Sequence, residues 1–218
     1  MVNNEYKQPC FFKDNTRNLI KKFVSIDDAY NYLVEKCISE GELIVDERND
    51  SLYQIPFVYL TIDSSIHKQV GDLYHINYPS GCNHNMLKTY TAQLQSGDIG
   101  GFVYTYGNRF KEYFGIDQYD NMINKLKSNQ YSRRAVGITL DPKRDSVEEE
   151  IPCLQLIKLS IFNNKLIMNC VFRSNDISLA FKYNIYALLK LHEKFANDLG
   201  IKCGDFNYVG FDAHYRRI

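Results

Sequence analysis

Apolar side chains recur at the spacing of α-helices in four segments of this chain. Ser25 is a predicted helix N-cap, since apolar positions at helical spacing follow it as far as Gly41. The same periodicity predicts helices over residues 85–95 and 118–128. Residues 177–199 form the longest periodic segment, and apolar positions nearly encircle it, which indicates one long buried helix.

Strand-like segments lie between these helices and after the last of them. Aromatic and β-branched residues predict strands over 52–62 and 135–140, and a final strand over 204–214. The segment 154–172 predicts a β-hairpin, because Asn163-Asn164 at its centre tolerates the positive φ of a tight turn. Strands and helices mix without strict βαβ alternation, which favours an α+β fold.

Two segments have a weaker pattern. The charged segment 141–150 is predicted to be a surface loop, and residues 99–104 a loop or a short strand. No linker composition divides the chain, so residues 1–218 are expected to form a single domain. A chain of 218 residues is large enough to bury a sizeable core.

Composition excludes several classes of function. The formal net charge is zero, which argues against a nucleic-acid polymer as partner, although a few local arginines suffice for one phosphorylated small molecule. No apolar run approaches the roughly 18–20 residues of a membrane span. The segment Met1–Tyr6 lacks the regions of a signal peptide, so a cytosolic protein without membrane attachment is expected.

The cysteines are widely scattered and form no C-x-x-C pair. This spacing in a chain of this length predicts reduced thiols, and neither a structural zinc nor another metal site is expected. The six positions are Cys10, Cys37, Cys82, Cys153, Cys170 and Cys203.

Side chains that could take part in catalysis or ligand binding concentrate in the last part of the chain. Cys153 follows Pro152, and a thiolate there would be a nucleophile if a cation such as Arg173 lay nearby. Taken alone, a cysteine at the start of an apolar strand is more often a small buried hydrophobe. Arg133 and Arg134 are adjacent, and such a pair is either a solvated face or a phosphate-binding group.

The order and spacing of these residues resemble the thymidylate synthase family. The resemblance is carried by Ser132-Arg133-Arg134, Ile151-Pro152-Cys153, Phe172-Arg173-Ser174-Asn175-Asp176, Asn184 and Asp212-Ala213-His214. It covers about residues 86–218, is strongest over 131–184, and is not detected in the first 80 residues. The short archaeal-type branch of the family is the most similar.

The resemblance implies a fold and a reaction. The expected fold is a mixed sheet packed with helices around one long buried helix, in a homodimer whose active sites are shared between subunits. The expected reaction transfers a one-carbon unit from 5,10-methylenetetrahydrofolate to carbon 5 of a pyrimidine nucleoside monophosphate. Conversion of dUMP to dTMP is the first expectation.

The resemblance also implies roles for individual residues. Cys153 would add to carbon 6 of the pyrimidine, with Arg173 beside it. Arg173 and Ser174 would hold the nucleotide phosphate, and Arg133 and Arg134 would reach the phosphate bound by the partner subunit.

Three further residues match the family less closely or admit a second interpretation. Asn184 would pair with the O4 and N3–H edge of uracil, because an amide offers both a donor and an acceptor. Asp176 would contact the folate, although a turn or helix cap explains it equally well. Arg48 resembles an N-terminal phosphate arginine, but the glycine-threonine pattern around it is missing.

The chain also departs from the family pattern. His214 matches a histidine near the sugar, but Arg216 stands where a sugar-binding tyrosine is expected, with Tyr215 beside it. Leu154 replaces a histidine, the C-terminal tail of longer members is missing, and no upstream glutamate matches the proton-removing one. The sequence has no tryptophan, whereas longer synthases use one near the folate. Hydroxymethylation of a dCMP, CMP or dUMP-type substrate, or an inactive nucleotide-binding homologue, therefore stay open.

Overall fold

The computed structural model describes residues 21–70 and 73–216. Met1–Tyr6 and Cys10, about which the sequence raised expectations, lie outside the described residues. Within these two ranges, no helix combines the length and apolar character needed to cross a membrane. Four cysteine side chains there are free thiols: Cys37, Cys82, Cys153 and Cys170.

Six α-helices form in the described ranges, and four of them cover the helices expected from periodicity. They are α1 (Ile26–Glu40), α2 (His84–Gln95), α3 (Tyr106–Lys111), α4 (Gln118–Ser128), α5 (Pro142–Asp145) and α6 (Phe181–Leu199). Ser25 caps α1, since its side chain accepts a hydrogen bond from the Asp28 amide.

The strands of the described ranges form one large mixed sheet and one small ribbon. They are β1 (Lys21–Phe23), β2 (Glu42–Val45), β3 (Ser51–Ile62), β4 (Lys68–Val70), β5 (Leu73–His75), β6 (Val136–Ile138), β7 (Leu154–Phe162), β8 (Lys165–Phe172), β9 (Asn175–Asp176) and β10 (Lys202–Arg216). The large sheet has the order β1-β3-β10-β8-β7-β6, with β2 beside β3 and β9 beside β10. Strand β10 runs antiparallel to β3 and parallel to β8.

Helix α6 occupies the centre of the molecule. It packs on β8 and β10 and also contacts α1, α2 and α4. Its buried residues include the polar side chains of Asn184, His192 and Glu193. The expected α+β architecture around one long buried helix is therefore confirmed.

The predicted hairpin and helix 118–128 are confirmed, whereas the start of the long helix differs from expectation. Asn163 and Asn164 adopt φ values of 49° and 56° between β7 and β8. The long helix begins at Phe181 rather than residue 177, because Asp176 accepts from the Leu179 amide and residues 177–180 form a turn. Residues 99–104 form a loop, which was one of the two alternatives expected for this segment.

The segment 141–150 is not entirely the surface loop that its charge predicted. It contains α5, and Asp145 there is only 3% exposed. Its carboxylate receives two hydrogen bonds from the buried guanidinium of Arg109, at 2.7 and 3.2 Å. The charge pattern could not reveal this, because a buried carboxylate is tolerated only when a distant cation packs against it.

Candidate functional site

A cleft of about 490 Å³ lies at the edge of the sheet where β7 begins and where β8 and β10 end. Its walls combine residues from early and late segments of the chain, because the C-terminal strand β10 lies between β3 and β8 in the sheet. The cleft brings together seven of the residues predicted from the sequence: Arg48, Cys153, Arg173, Ser174, Asp176, Asn184 and His214.

The remaining predicted residues lie elsewhere in the single chain. Arg133 and Arg134 are exposed and line a separate surface depression after α4. Tyr215 packs against the hydrophobic core instead of lining the cleft. Because side chains alternate along a strand, its neighbours His214 and Arg216 face the cleft in its place.

Cys153 lies directly before β7, in contact with the end of β8. Its carbonyl accepts a hydrogen bond from the Arg173 amide at 2.8 Å. The Arg173 guanidinium donates to the carbonyls of Pro152 (3.2 Å) and Ile151 (3.0 Å), which holds it beside the cysteine. The spacing between these residues in the sequence therefore corresponds to two strand ends joined across the sheet.

The groups around Cys153 shift the pKa of its thiol in opposite directions. Burial raises the pKa of the Cys153 thiol above its ordinary value, and the carboxylate of Glu150 acts in the same direction. The guanidinium of Arg173 lowers this pKa, and Arg48 does so more weakly. Burial prevails in the single chain, so the thiol is protonated at neutral pH and its activation requires further positive charge or a proton acceptor.

Three tyrosines form a wall beside the thiol. The hydroxyl of Tyr104 donates to the Ile151 carbonyl at 3.2 Å, and the hydroxyl of Tyr106 accepts from the Leu154 amide at 3.3 Å. Burial raises the pKa of Tyr104 to about 12 and raises those of Tyr90 and Tyr106 further. All three phenols therefore stay protonated and can donate hydrogen bonds.

Asn184 is 4% exposed and belongs to a hydrogen-bonded chain of polar groups. Its Oδ1 accepts from the Tyr90 hydroxyl at 2.5 Å, and its Nδ2 donates to Asn175 Oδ1 at 3.3 Å. Asn175 in turn donates to the Tyr208 hydroxyl at 3.2 Å. Since the Tyr90 phenol is a donor, these contacts fix which end of the Asn184 amide carries the oxygen.

Other charged groups of the cleft are paired with each other. Arg216 Nε lies 3.0 Å from Asp176 Oδ2, and the same guanidinium also contacts Asp50. Asp176 therefore has both the hydrogen bond in the turn before α6 and an ion pair with Arg216. Arg48 contacts Glu150 at 2.5 Å, with both side chains 58% exposed. An exposed pair of this kind contributes little stability, so an anionic ligand can displace Glu150 from Arg48 at small cost.

An apolar hollow of about 500 Å³ adjoins the cleft and shares Tyr90 and Asn184 with it. Met86, Phe102 and Leu179 contribute its apolar lining and are each about 60% exposed. A mainly apolar hollow beside a few convergent polar groups is the usual form of a site for a flat aromatic molecule.

Comparison with known proteins identifies the family. The family model described as thymidylate synthase matches residues 13–217. The chain belongs to the thymidylate synthase family. A protein of Methanothermobacter thermautotrophicus is 35% identical over 202 residues, which span 88% of this chain and 91% of the relative. A protein of Methanocaldococcus jannaschii is 34% identical over 199 residues, with 87% of each covered. Both bear the name "Putative thymidylate synthase".

The match also corrects one expectation. Similarity to the thymidylate synthase family begins at residue 13, so the expectation that it is absent from the first 80 residues was wrong. Apart from the loop that carries Arg48, residues 21–70 supply framework elements, with β1 and β3 in the sheet and α1 packed against it. Segments that build the framework are specified by a pattern of buried positions and carry no chemical motif. The spacing of motifs therefore did not detect the similarity in this part of the chain.

Several residues of this thymidylate synthase-family cleft were not predicted. Tyr90 and Tyr104 carry no motif, and Glu150 was assigned to a solvated run. Tyr90 could have been suspected from its place on a predicted helix, but its partner Asn184 is close only in the folded chain. Arg216 was noted as a departure and turns out to line the cleft.

Because Arg173 lowers the pKa of the Cys153 thiol, removing its charge should make that thiol less reactive. Replacing Arg173 with Met removes the cation that lowers the thiol pKa, so less thiolate is present at any given pH. The rate of Cys153 alkylation by iodoacetamide is measured by peptide mass spectrometry at a series of pH values from 6 to 10. Below the thiol pKa, the rate should fall by about tenfold, which is the effect of raising that pKa by one unit. Arg144→Met, which removes an exposed arginine outside the cleft, is the control. Equal rates in both variants would contradict the role of Arg173.

Proposed function

We propose that this protein converts dUMP to dTMP with 5,10-methylenetetrahydrofolate, within the one-carbon transfer typical of its family. The observation that carries the proposal is the convergence of Cys153, Arg173 and Asn184 on one cleft. These residues supply a nucleophile, a cation and an amide for base recognition. The family match supports the general reaction, and the cleft residues support the choice of a pyrimidine nucleotide.

Cys153 is the proposed nucleophile. The thiol first gives up its proton to water, the thiolate electron pair forms a bond to carbon 6 of the pyrimidine, and the electron pair of the C5–C6 double bond moves to the O4 oxygen through carbon 5. Carbon 5 thereby becomes a carbon nucleophile for the one-carbon unit. The protonated phenols of Tyr104 and Tyr106 bond the backbone on either side of Cys153 and cover one side of it.

Arg173, Ser174 and Arg48 are the proposed phosphate ligands within the chain. Guanidinium donors match phosphate oxygens in a planar fork, and Arg173 uses only part of its donor set on the carbonyls of residues 151 and 152. Ser174 Oγ lies 3.4 Å from His214 Nδ1, so a phosphate on the serine would place the attached sugar near the histidine.

Asn184 is the proposed recognition residue for the base. The Tyr90 hydroxyl and Asn175 hold its amide, so the side chain is presented in one orientation. An amide with a fixed donor and a fixed acceptor can distinguish the N3–H and O4 of uracil from the N3 and amino group of cytosine.

The apolar hollow beside Asn184 fits the folate. Phe102, Met86 and Leu179 would pack against its aromatic rings, and Asp176 at the edge of the cleft offers a polar contact. When bound, the folate supplies a one-carbon unit at the oxidation level of formaldehyde. The protein's own contribution is to hold this hollow next to the base-recognition residue.

A second candidate is hydroxymethylation of a pyrimidine nucleotide. Its support is that the sequence contains no tryptophan, the residue that assists the final reduction in longer synthases. The third candidate, a nucleotide-binding protein without catalysis, is supported by the carboxylates of the cleft. Glu47, Glu149 and Glu150 line it, Glu150 is paired with Arg48, and no sequence motif marks any of the three for proton removal.

The decisive experiment is the mass of the product. The protein is incubated with 5,10-methylenetetrahydrofolate and, separately, with dUMP, dCMP, UMP and CMP. We expect a methyl increment on dUMP together with dihydrofolate. A hydroxymethyl increment on any substrate would establish the second candidate, and unchanged nucleotides despite tight dUMP binding would establish the third.

The same assay tests the nucleophile. Cys153→Ala should lower kcat by about 10³-fold or more, because no other group forms the bond to carbon 6. Cys82→Ala, which removes a half-buried thiol outside the cleft, should leave turnover unchanged. Full turnover by Cys153→Ala would eliminate Cys153 as the nucleophile.

Asn184→Asp should change the preference between bases. An aspartate presents only acceptors when ionised and can accept from the cytosine amino group, so the ratio of kcat/KM for dUMP to that for dCMP should fall by about tenfold to a hundredfold. Thr89→Ser, in the adjoining hollow but outside the hydrogen-bonded chain, serves as control. An unchanged ratio in Asn184→Asp would remove Asn184 from base recognition.

The proposed enzyme is a homodimer that associates through the sheet face opposite the helices. Phe57 and Phe211 lie on this face, 55% and 43% exposed, with ring centroids 5.8 Å apart. Tyr59 and Val209 flank them and are half-buried. Adjacent exposed apolar side chains of this kind mark association sites. In such a dimer, Arg133 and Arg134 would serve the cleft of the partner subunit.

Phe57→Asp should therefore weaken the dimer by about a hundredfold, since it places a charge in an apolar contact. Analytical ultracentrifugation over a concentration series measures the dissociation constant. Ile38→Asp on α1, a comparably exposed position (51%) on the helical side, is the matched control and should stay dimeric. A monomeric wild-type protein, or equal dissociation constants for the two variants, would refute this interface.

A further inference from the structure

A second cluster of reactive side chains lies away from the cleft. His67 ends the turn that follows β3, His192 lies in the middle of α6, and Cys203 is the second residue of β10. One nitrogen or sulfur atom from each of them lies within 4.8 Å of the other two. All three residues are buried, with exposed fractions of 8%, 0% and 4%.

His192 directs a basic nitrogen into this cluster. Its Nε2 lies 2.7 Å from the Leu166 carbonyl, and because a carbonyl only accepts, Nε2 carries the proton. The ring is fully buried and its one N–H is committed to a carbonyl, so a second proton would place an unpaired charge in the core and the neutral imidazole is favoured. Its Nδ1 is then an unprotonated nitrogen, buried and without a hydrogen-bond partner among the described residues.

His67 is oriented in a similar way. Its Nδ1 lies 3.1 Å from Glu193 Oε1, and because a carboxylate accepts, Nδ1 carries a proton and Nε2 is the ring nitrogen left to act as a ligand. The other oxygen of Glu193 is paired with Lys190. Carboxylates and carbonyls that hold the remote N–H of histidines are the usual second layer of a metal site.

The unmatched nitrogen of His192 favours a cation. It is buried beside the His67 ring and the Cys203 sulfur, and a lone pair at such a depth is costly when nothing binds it. A metal ion bound to this nitrogen, to a His67 nitrogen and to the Cys203 thiolate satisfies the His192 lone pair and uses all three side chains as ligands.

We propose that His67, His192 and Cys203 bind a zinc ion. Imidazole nitrogen and thiolate sulfur are preferred zinc ligands, and three protein ligands leave one tetrahedral position for water. Zinc with the Cys203 thiolate carries one net positive charge, and the Glu193 carboxylate, which lies between His67 and Lys190, places a negative charge beside it. The three positions are far apart in sequence, which explains why cysteine spacing predicted no metal site.

The zinc would have a structural role. Leu166, which holds His192, and Phe172, which adjoins Arg173, are six residues apart on β8, roughly 20 Å at the rise of a strand. The ion therefore lies far from Cys153 and joins the turn after β3, α6 and the start of β10. It contributes to stability and takes no part in one-carbon transfer, so the proposal does not depend on the proposed function.

The test is metal content and thermal stability of the full chain purified without a histidine tag. After equilibration with Zn²⁺ and gel filtration, we expect about one zinc per chain by mass spectrometry. Chelation should lower the unfolding midpoint by ~5 °C or more. Replacement by Co²⁺ should give the d–d bands of a tetrahedral site and a thiolate charge-transfer band.

Variants identify the ligands. Cys203→Ser and His192→Gln should lose the stoichiometric zinc, whereas Cys170→Ser, a fully buried thiol on β8 outside the cluster, should retain it. A wild-type protein that takes up no zinc, shows no change on chelation and gives no thiolate–cobalt band overturns the proposal. Retention of zinc by a folded Cys203→Ser variant also overturns it. If that variant does not fold, the cobalt spectrum of the wild type decides.

Discussion

The structure depends on the burial of α6, whose polar side chains must find partners inside the core. Asn184, His192 and Glu193 are each less than 5% exposed, and an unsatisfied polar group at such a depth is costly. Asn184 is satisfied by Tyr90 on α2 and by Asn175 on β9, whereas His192 bonds a carbonyl of β8. These contacts set how the neighbouring elements approach the helix.

The same helix connects the two sites. Asn184 and His192 are eight residues apart, about 12 Å along the helix axis. One end of α6 thus presents an amide to the cleft, while the middle presents an imidazole to the proposed zinc. Because α6 is one continuous helix packed on β8 and β10, a constraint applied at the histidine would also limit the movement of the asparagine.

Local patterns in the sequence predicted most of the fold. Helix α4 matches its predicted bounds, and Asn163-Asn164 makes the expected turn, because each depends on residues close in the chain. Cys153 and Arg173 were predicted from spacing and do meet in the cleft. The buried pair of Arg109 and Asp145 was not predicted, because charge pattern alone indicates a solvated loop. Contacts that arise only when distant elements pack leave no signal in local periodicity.

The charges of the cleft connect the proposed chemistry with the proposed assembly. Within the described residues, Arg48 and Arg216 are paired with carboxylates, and Arg173 offsets the burial of Cys153 with only a weaker contribution from Arg48. A bound phosphate would add negative charge near the thiol and raise its pKa further, unless more cations arrived with it. Arg133 and Arg134 are exposed and form no ion pair in the described chain. Their delivery by a second subunit would supply the missing charge, so dimerisation and activation of the nucleophile would be one requirement rather than two.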